Sequence, residues 1–359
     1  MGIRALIATR KGLFRLNQDK TLEPVDFLGV PVSMTLAAEN RKYWYAALDH
    51  GHFGVKLHRS EDSGKSWQEI NCPSYSGAES GDEKPKAFSL NLIWSLAYAD
   101  DGPGDKLWAG TVPGGLFYSK DAGLSWHLNE YLWQKNIEQS WFGGGFDSAG
   151  IHSICVDPRD HNEVKIAVSC AGVWVTRDSG KSWKNCSKGM RAEYMPPDRA
   201  YDVTIQDPHL LVQCATNPDH LWVQHHNGIF KSSDNAASWQ EVRDVEPSVF
   251  GFATAVHPRD PECAWFVPGV KDECRIPVDG KLVVTCTRDG GKSFEKLTAG
   301  LPQQPSYDLV FRHGLDIDKS GEQLLLGSTT GNLWLTENQG NHWQCLSTFL
   351  PPIYAVRFL

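Results

Sequence analysis

Short apolar runs separated by polar turns recur along the chain. In one clear stretch, runs at 151–156, 164–168 and 172–176 are interrupted by a polar Asp/Pro-containing turn at 157–160. Apolar runs of five or six residues bounded by Pro, Asp and Gly are typical of β-strands and too short for most helices. The pattern therefore predicts a succession of antiparallel strands joined by tight turns.

One turn motif recurs six times and divides the chain into similar units. Its clearest copy occupies residues 60–67 and reads SEDSGKSW, and further copies lie at 119–126, 176–183, 232–239, 287–294 and, in a degenerate form, 336–343. In such a motif Asp and Ser side chains cap backbone N–H groups, Gly supplies a positive φ, and the aromatic residue packs beneath the turn. The spacing of roughly fifty to sixty residues suits one four-stranded propeller blade per unit.

Each unit predicts four strands, A to D, with the motif between strands C and D. A seventh unit has no motif: strands at 4–8, 12–15 and 25–28 lack a strand A, and 353–358 forms a lone strand A at the other end of the chain. Pairing of the two parts closes the ring and removes exposed sheet edges. The sequence thus predicts an all-β fold, a seven-bladed β-propeller with 1–359 as a single domain. Six or eight blades is the alternative if one connection is assigned differently.

On these motifs the chain resembles the Asp-box, or bacterial neuraminidase repeat, β-propellers. That family includes sialidases, xyloglucan-cleaving propellers, sortilin-type receptors and a photosystem II assembly factor. The chain is also similar to bacterial cytoplasmic proteins described as glycosyl hydrolase-like or exo-α-sialidase-like. The resemblance implies the propeller fold, but the Asp-box is a structural turn and fold does not imply function.

The resemblance does not extend to a sialidase site. Sialidases bind the substrate carboxylate with three arginines, use a Tyr–Glu nucleophile pair and an Asp acid, and carry an Arg-Ile-Pro-like motif in the first blade. Here the early residues Arg4 and Arg10 do not match that motif, and the triplet occurs only in a late loop at 275–277. Arg312 and Arg357 fall on or near predicted A strands, but no triad can be assembled. We expect a hydrolase that is not a true sialidase.

Charge and composition reduce the number of partner classes that the chain is expected to bind. The formal net charge is −8 and no Lys/Arg run is present, so we expect no nucleic-acid partner. No apolar window is long enough to span a bilayer and the N-terminus does not resemble a signal peptide, which predicts a cytoplasmic protein with no membrane partner. The nine cysteines include no CxxC and are expected to be buried thiols. The sequence does not indicate an oligomeric state.

Ligand-binding residues are expected on one face of the ring. In a propeller the D–A connections and B–C turns surround one mouth of the channel, and the C–D turns lie on the other face. The predicted D–A loops at 77–89, 131–150 and 190–208 are long and aromatic, and glycines at 143–145 suggest a lid. A small-molecule or glycoside ligand is expected there. The candidate ligand-binding residues are Trp133, Trp141, Tyr194, Asn227 and Arg312.

Most of the thirteen histidines fall near the same face. Imidazoles from several blades suit a divalent transition metal such as Zn, Cu, Fe or Mn. The candidate metal ligands are His50, His52, His152, His225, His226 and His313. His209 also opens a predicted A strand. Two alternatives remain: the imidazoles act as general acids or bases, or they bond to the backbone and plug the channel.

The adjacent histidines His225 and His226 would point to opposite faces of a strand, so at most one of them faces a given site.

The candidate catalytic residues are carboxylates. A glycosidase needs two carboxylates across a cleft, and our candidates are Asp49, Glu193 and Asp308. The alternative to a hydrolase is a non-catalytic binding or assembly propeller that uses the same face.

Overall fold

Seven four-stranded antiparallel sheets make up the fold. The computed structural model describes residues 2–75 and 88–359, and these form the seven sheets. The strand A of each sheet contacts the strand A of the next sheet around a closed ring. The predicted seven-bladed β-propeller is therefore confirmed.

The strands are numbered in chain order. Blades 1 to 4 contain β1 (Ile3–Thr9), β2 (Gly12–Asn17), β3 (Leu22–Asp26); β4 (Val32–Leu36), β5 (Trp44–Asp49), β6 (Val55–Ser60), β7 (Gln68–Ile70); β8 (Leu92–Tyr98), β9 (Leu107–Val112), β10 (Leu116–Ser119), β11 (His127–Leu128); and β12 (Ile151–Val156), β13 (Val164–Val168), β14 (Gly172–Thr176), β15 (Lys184–Asn185). Blades 5 to 7 contain β16 (Pro208–Gln213), β17 (Leu221–His225), β18 (Gly228–Ser232), β19 (Gln240–Val242); β20 (Gly251–Val256), β21 (Ala264–Pro268), β22 (Val284–Thr287), β23 (Glu295–Leu297); and β24 (Leu315–Ile317), β25 (Leu324–Gly327), β26 (Leu333–Thr336), β27 (Gln344–Ser347). The last strand, β28 (Ile353–Phe358), is strand A of blade 1.

Blade 1 is the predicted composite of both chain ends. β28 pairs antiparallel with β1, with Val356 opposite Ile7. Both side chains are fully buried in one cluster with Leu325 and Leu333 of blade 7. Strand D differs from its predicted position at 25–28, because it ends at Asp26 and Phe27 takes a positive φ of 60°. The Phe27 ring leaves the sheet and packs against blade 2.

The six repeated turns share a hydrogen-bond pattern that explains the motif. In one copy Thr176 Oγ1 donates to Asp178 Oδ1 (2.7 Å) and accepts from the Gly180 amide (2.9 Å). Asp178 in turn accepts from the amide (2.9 Å) and hydroxyl (2.6 Å) of Ser182. Where Ala236 replaces the glycine it still has a positive φ of 63°. These turns join strands C and D, and thus lie on the face opposite the D–A connections.

One D–A connection contains a helix where a loop is predicted. The helix α1 covers Glu130–Gln139 within the predicted loop 131–150. Asn129 caps it by accepting from the Leu132 amide (3.0 Å), and Leu132 is buried against blade 4. A good cap followed by Glu, Leu, Gln and Lys favours a helix. Short 3-10 helices lie at Gly51–Phe53 and Val278–Gly280, and the predicted loop at 77–89 falls mostly outside the described residues.

Across residues 2–75 and 88–359, no helix combines the length and apolar character that crossing a bilayer requires. All nine cysteines are unpaired, and most are buried or half-buried.

If β28 closes the ring, a charged residue introduced into this strand should strongly lower the free energy of unfolding. Val356→Asp places a carboxylate at a fully buried position beside Ile7, and we expect a loss of about 3 kcal/mol or more in the free energy of unfolding. The matched control is Val270→Asp, because Val270 lies in an exposed turn at 36% exposure, where surface substitutions cost within about 0.5 kcal/mol. Urea denaturation measures both, and equal losses would contradict a closure role for β28.

Candidate functional site

The channel through the ring is divided into two cavities. The upper cavity, about 350 Å³, opens on the face of the D–A connections. The lower cavity, about 440 Å³, is lined by the later residues of the A strands. Arg312 and His313, which precede β24, line both cavities and mark the waist of the channel.

A repeated β-bulge aims side chains at the channel. In blades 1 to 6 the pairing of strand A with strand B shifts register near the start of strand A. A bulge re-aims the extra residue and interrupts the inward–outward alternation. The residues at these shifts are Tyr354, Ser33, Trp94, His152, His209 and Phe252. All of them except His152 line the upper cavity, and His152 lines the lower one.

Arg312 lies at the waist between two aromatic rings. Its guanidinium carbon is 4.7 Å from the centroid of the Trp94 ring and 5.4 Å from that of Phe252. Within the described part of the chain, Nε has no hydrogen-bond partner and no carboxylate forms an ion pair with the guanidinium. Burial lowers the pKa of Arg312 to about 10, so the side chain remains a cation at neutral pH.

His313 offers a second donor at the waist. Arg357 Nη2 lies 3.0 Å from His313 Nδ1, and a guanidinium can only donate. Burial, and then the Arg357 charge, hold the pKa of His313 well below its usual value, so the ring is neutral. Its proton is therefore on Nε2, which has no partner among the described residues.

A second polar cluster lies in blade 5, and we call it the blade-5 triad. It consists of Asp207 before β16, His209 in β16, and His226 in the turn between β17 and β18. Asp207 Oδ2 is 3.6 Å from His209 Nε2 and 3.3 Å from His226 Nδ1. The three ligand atoms lie within 4.8 Å of one another, and no other such group of three occurs in the described residues.

Backbone groups hold the triad in place. Asp207 Oδ1 accepts from the Cys170 amide (3.1 Å), and His209 Nδ1 is 2.6 Å from the Gly251 carbonyl oxygen. Because a carbonyl can only accept, the neutral His209 ring carries its proton on Nδ1 and leaves a lone pair on Nε2. Burial alone would raise the pKa of Asp207, but the hydrogen bond from His226 and the nearby Arg312 charge hold that pKa well below the usual value. The carboxylate is therefore ionised.

The two adjacent histidines of the blade-5 turn have different environments. His225 is fully buried and its Nε2 accepts from the Asp207 amide (3.0 Å), so it supports the position of Asp207. Burial lowers the pKa of His225 to about 3. His226 packs against the rings of Tyr194 and Phe250 and is partly exposed. Burial opposes its charge, yet the Asp207 carboxylate outweighs burial and raises the pKa of His226.

The glycine-rich segment 143–145 covers this region. Gly144, Gly145 and Phe146 line the upper cavity, and the Phe146 ring is 5.1 Å from that of Trp94. A Cβ on Gly144 would lie 3.0 Å from Asp207 Oδ2 and 2.8 Å from Cys170 Sγ. The segment therefore contacts the blade-5 triad directly.

Only some of the predicted site residues meet at the upper cavity. Asp49, Arg312 and His313 line it, and Tyr194 contacts His226. Arg275 and Asp272 also line it as an ion pair with an Nη2–Oδ1 distance of 2.6 Å. The late Arg-Ile-Pro triplet, which does not match the family motif, thus contributes a cavity residue through its arginine.

The other predicted residues lie elsewhere. Trp133 packs against Tyr75 and Phe88, and Trp141 is buried near Trp174. The remaining candidates are placed as follows: Glu193 beside Arg191, Asn227 bonded to the Glu193 amide, and Asp308 accepting from Ser306, Ser328, Thr330 and Asn332.

The predicted metal ligands do not gather into one site. His50 and His52 pack against the exposed Phe53 ring in the blade-2 turn. His152 is buried in the lower cavity with Nδ1 2.9 Å from Ser153 Oγ. Of the six predicted ligands only His226 belongs to a described group of three ligand atoms.

Sequence reasoning missed Asp207 as a site residue and did not select His209 as a ligand. One signal was available, because His209 occupies the same early position in its A strand as His152 does in blade 4. The contributions of Trp94 and Phe252 depend on the bulges, which the apolar pattern does not reveal.

Comparison with known proteins finds β-propellers that are similar to this chain. No protein-family model matches the chain. The chain is 24% identical over 311 residues to an oligoxyloglucan-reducing end-specific xyloglucanase from Emericella nidulans, covering 79% of this chain and 35% of that protein. It thus spans about a third of the length of that curated relative.

Two solved structures have the same fold. A GH74 xyloglucanase from Xanthomonas campestris superposes with a TM-score of 0.67 at 16% identity, covering 96% of this chain and 53% of that one. A periplasmic gluconolactonase from Pseudomonas aeruginosa superposes with a TM-score of 0.59 at 12% identity, covering 99% of each chain. The likeness to these structures shows the propeller fold.

The contact between the glycine segment and the triad gives a paired test. Gly144→Ala forces the new methyl group against Cys170 and Asp207, whereas a Cβ on Gly145 meets nothing within 4 Å. We expect Gly144→Ala to displace the segment and to raise the alkylation rate of the buried Cys170 thiol several-fold. Gly145→Ala is expected to leave that rate unchanged. Mass spectrometry of the Cys170 peptide after timed iodoacetamide labelling measures the effect, and equal rates would contradict the covering role.

Proposed function

We propose that the upper cavity binds a small carboxylated carbohydrate, and that the protein is a hydrolase of such a ligand that is not a true sialidase. The observation that carries the proposal is the unpaired Arg312 cation at the base of the cavity. A half-buried cation without a counter-ion is costly in a protein interior. An anionic ligand would supply the missing partner.

The donors at the waist suit a carboxylate. Arg312 and His313 both line the upper cavity, and Arg312 Nε and His313 Nε2 have no hydrogen-bond partner within the described residues. Charge-assisted hydrogen bonds to a carboxylate are stronger than neutral ones, and a guanidinium can bind both oxygens. Asp207 is close enough to raise the pKa of Arg312 but forms no ion pair with it.

Size and aromatic content favour a sugar-like ligand. A cavity of about 350 Å³ lies at the small end of the range for ligand pockets. Trp94, Phe146 and Phe252 supply ring surface at its wall. Several exposed aromatic residues lie on D–A and B–C connections around the same mouth: Phe53, Phe142, Tyr201, Tyr307 and Phe349. Aromatic rings with exposed faces provide apolar surface for carbohydrate.

Hydrolysis is supported by two features. The curated relative is named as a xyloglucanase, which is an enzyme of carbohydrate chemistry. Asp49 and the Asp272–Arg275 pair place carboxylates at the cavity wall, and His209 of the blade-5 triad adds an imidazole there. Groups of this kind act as general acids and bases near neutral pH.

Binding of matched acidic and neutral sugars tests the proposal. We expect glucuronate or galacturonate to bind the full chain at least tenfold more tightly than glucose or galactose. Arg312→Met should weaken binding of the acid by about 10- to 100-fold, the equivalent of a charged hydrogen bond. Calorimetry measures binding, and the change in tryptophan fluorescence supports it, because the Trp94 ring lies against the guanidinium.

Two controls separate binding from folding. Arg312→Lys keeps the charge and should retain more affinity than Arg312→Met. Arg243→Gln removes an arginine that directly follows β19 and whose side chain is 70% exposed. This variant should leave the affinity for the acidic sugars unchanged. Equal affinity for acidic and neutral sugars would overturn the proposal. Acid binding without turnover of the corresponding aryl uronides would favour the non-catalytic alternative.

A further inference from the structure

We propose that the blade-5 triad of Asp207, His209 and His226 is a binding site for a divalent transition-metal ion. The three ligand atoms are a carboxylate oxygen and two imidazole nitrogens, all contributed by one blade. This inference does not depend on the identity of the ligand in the upper cavity. It concerns a different ligand set from the six histidines predicted from sequence, with only His226 in common.

Two of the three distances between ligand atoms are close to those around a tetrahedral ion. Two ligand atoms that each lie about 2.0–2.1 Å from zinc at a tetrahedral angle are about 3.3–3.4 Å apart. Asp207 Oδ2 lies 3.3 Å from His226 Nδ1 and 3.6 Å from His209 Nε2. Two edges of the site are therefore close to their bound length, and the third is no longer than 4.8 Å.

The hydrogen bond that His209 makes with the backbone orients its ring toward Asp207. Nδ1 lies 2.6 Å from the Gly251 carbonyl oxygen, which can only accept, so Nδ1 is the donor. The other ring nitrogen, Nε2, lies 3.6 Å from Asp207 Oδ2. The ring is therefore held so that Nε2 and the carboxylate oxygen can bind the same ion.

The surroundings resemble the support that metal ligands receive in proteins. A ligating imidazole usually donates its other N–H to a carbonyl or carboxylate, and a ligating carboxylate is itself hydrogen-bonded. Here the carbonyl oxygen of Gly251 accepts the hydrogen bond from His209 Nδ1, and the Cys170 amide donates one to Asp207 Oδ1. The Phe252 ring stacks on His209 at 4.5 Å with an interplanar angle of 13°, which fixes the plane of the ligand.

The donor set selects the class of metal. Two imidazole nitrogens and one carboxylate suit zinc, iron, copper or manganese, whereas magnesium and calcium prefer oxygen ligands. Three protein ligands leave at least one coordination position open. His209 lines the upper cavity, so an open position on that side would hold water or a ligand atom from the cavity.

Zinc and cobalt titrations of the full chain test the site. After dialysis against a chelator, we expect one equivalent of Zn²⁺ to bind in calorimetry and Co²⁺ to give the visible absorption of a nitrogen- and oxygen-ligated ion. His209→Ala and Asp207→Asn should each weaken Zn²⁺ binding at least about 100-fold, more than the loss of a supporting group. His226→Ala provides a third variant at a partly exposed position in case the buried substitutions impair folding, which circular dichroism checks.

Substitutions of histidines outside the triad test whether zinc binds elsewhere on the chain. His52→Ala removes an exposed histidine and His152→Gln a buried one, and both should retain one equivalent of Zn²⁺. Arg312→Met should also retain it, so that failure of the metal site and failure of the sugar-acid site are seen separately. Binding below about a tenth of an equivalent, or unchanged affinity in the variant lacking both His209 and His226, would overturn the proposal and leave the triad as a hydrogen-bonded cluster.

Discussion

The pairing of β28 with β1 is the constraint on which the rest of the molecule depends. It joins the two chain ends within one blade, with Val356 opposite Ile7, and so closes the ring of A strands. A closed ring holds the start of every A strand at a set distance from the channel axis. Residues as distant in sequence as Ser33, His209 and Tyr354 can then line one cavity. The chemistry of the site is local to single blades, but its assembly is a property of the whole ring.

Sequence reasoning predicts the ring well because the repeated turn is a local structure. The Thr176, Asp178 and Ser182 bonds lie within one short segment, so their residue types are visible without knowledge of the rest of the fold. The composite blade follows from counting strands around these turns. The helix at Glu130–Gln139 is missed because its surroundings contain the glycines and aromatic residues of a loop, whereas its cap at Asn129 is a weaker signal.

The site is harder to predict because it depends on bulges and tautomers. Simple alternation cannot say that His209, Phe252 and Trp94 all project into the channel, since each lies where the pairing shifts register. Alternation does anticipate that His225 and His226 differ, but not which of them supports Asp207 and which lies beside its carboxylate. That distinction depends on the Asp207 amide, whose position only the folded chain defines.

Electrostatics links the two proposals. Arg312 and Asp207 influence each other's pKa, so the waist and the blade-5 triad share one field. Without a metal, the negative charge of Asp207 acts against any anion drawn to Arg312. A divalent ion at the triad would displace at most the proton held between Asp207 and His226, and would leave the site more positive by about one charge. Because charges interact strongly in a desolvated cavity, the metal would favour an anionic ligand at the waist. The same linkage requires the anion to strengthen metal binding by an equal factor.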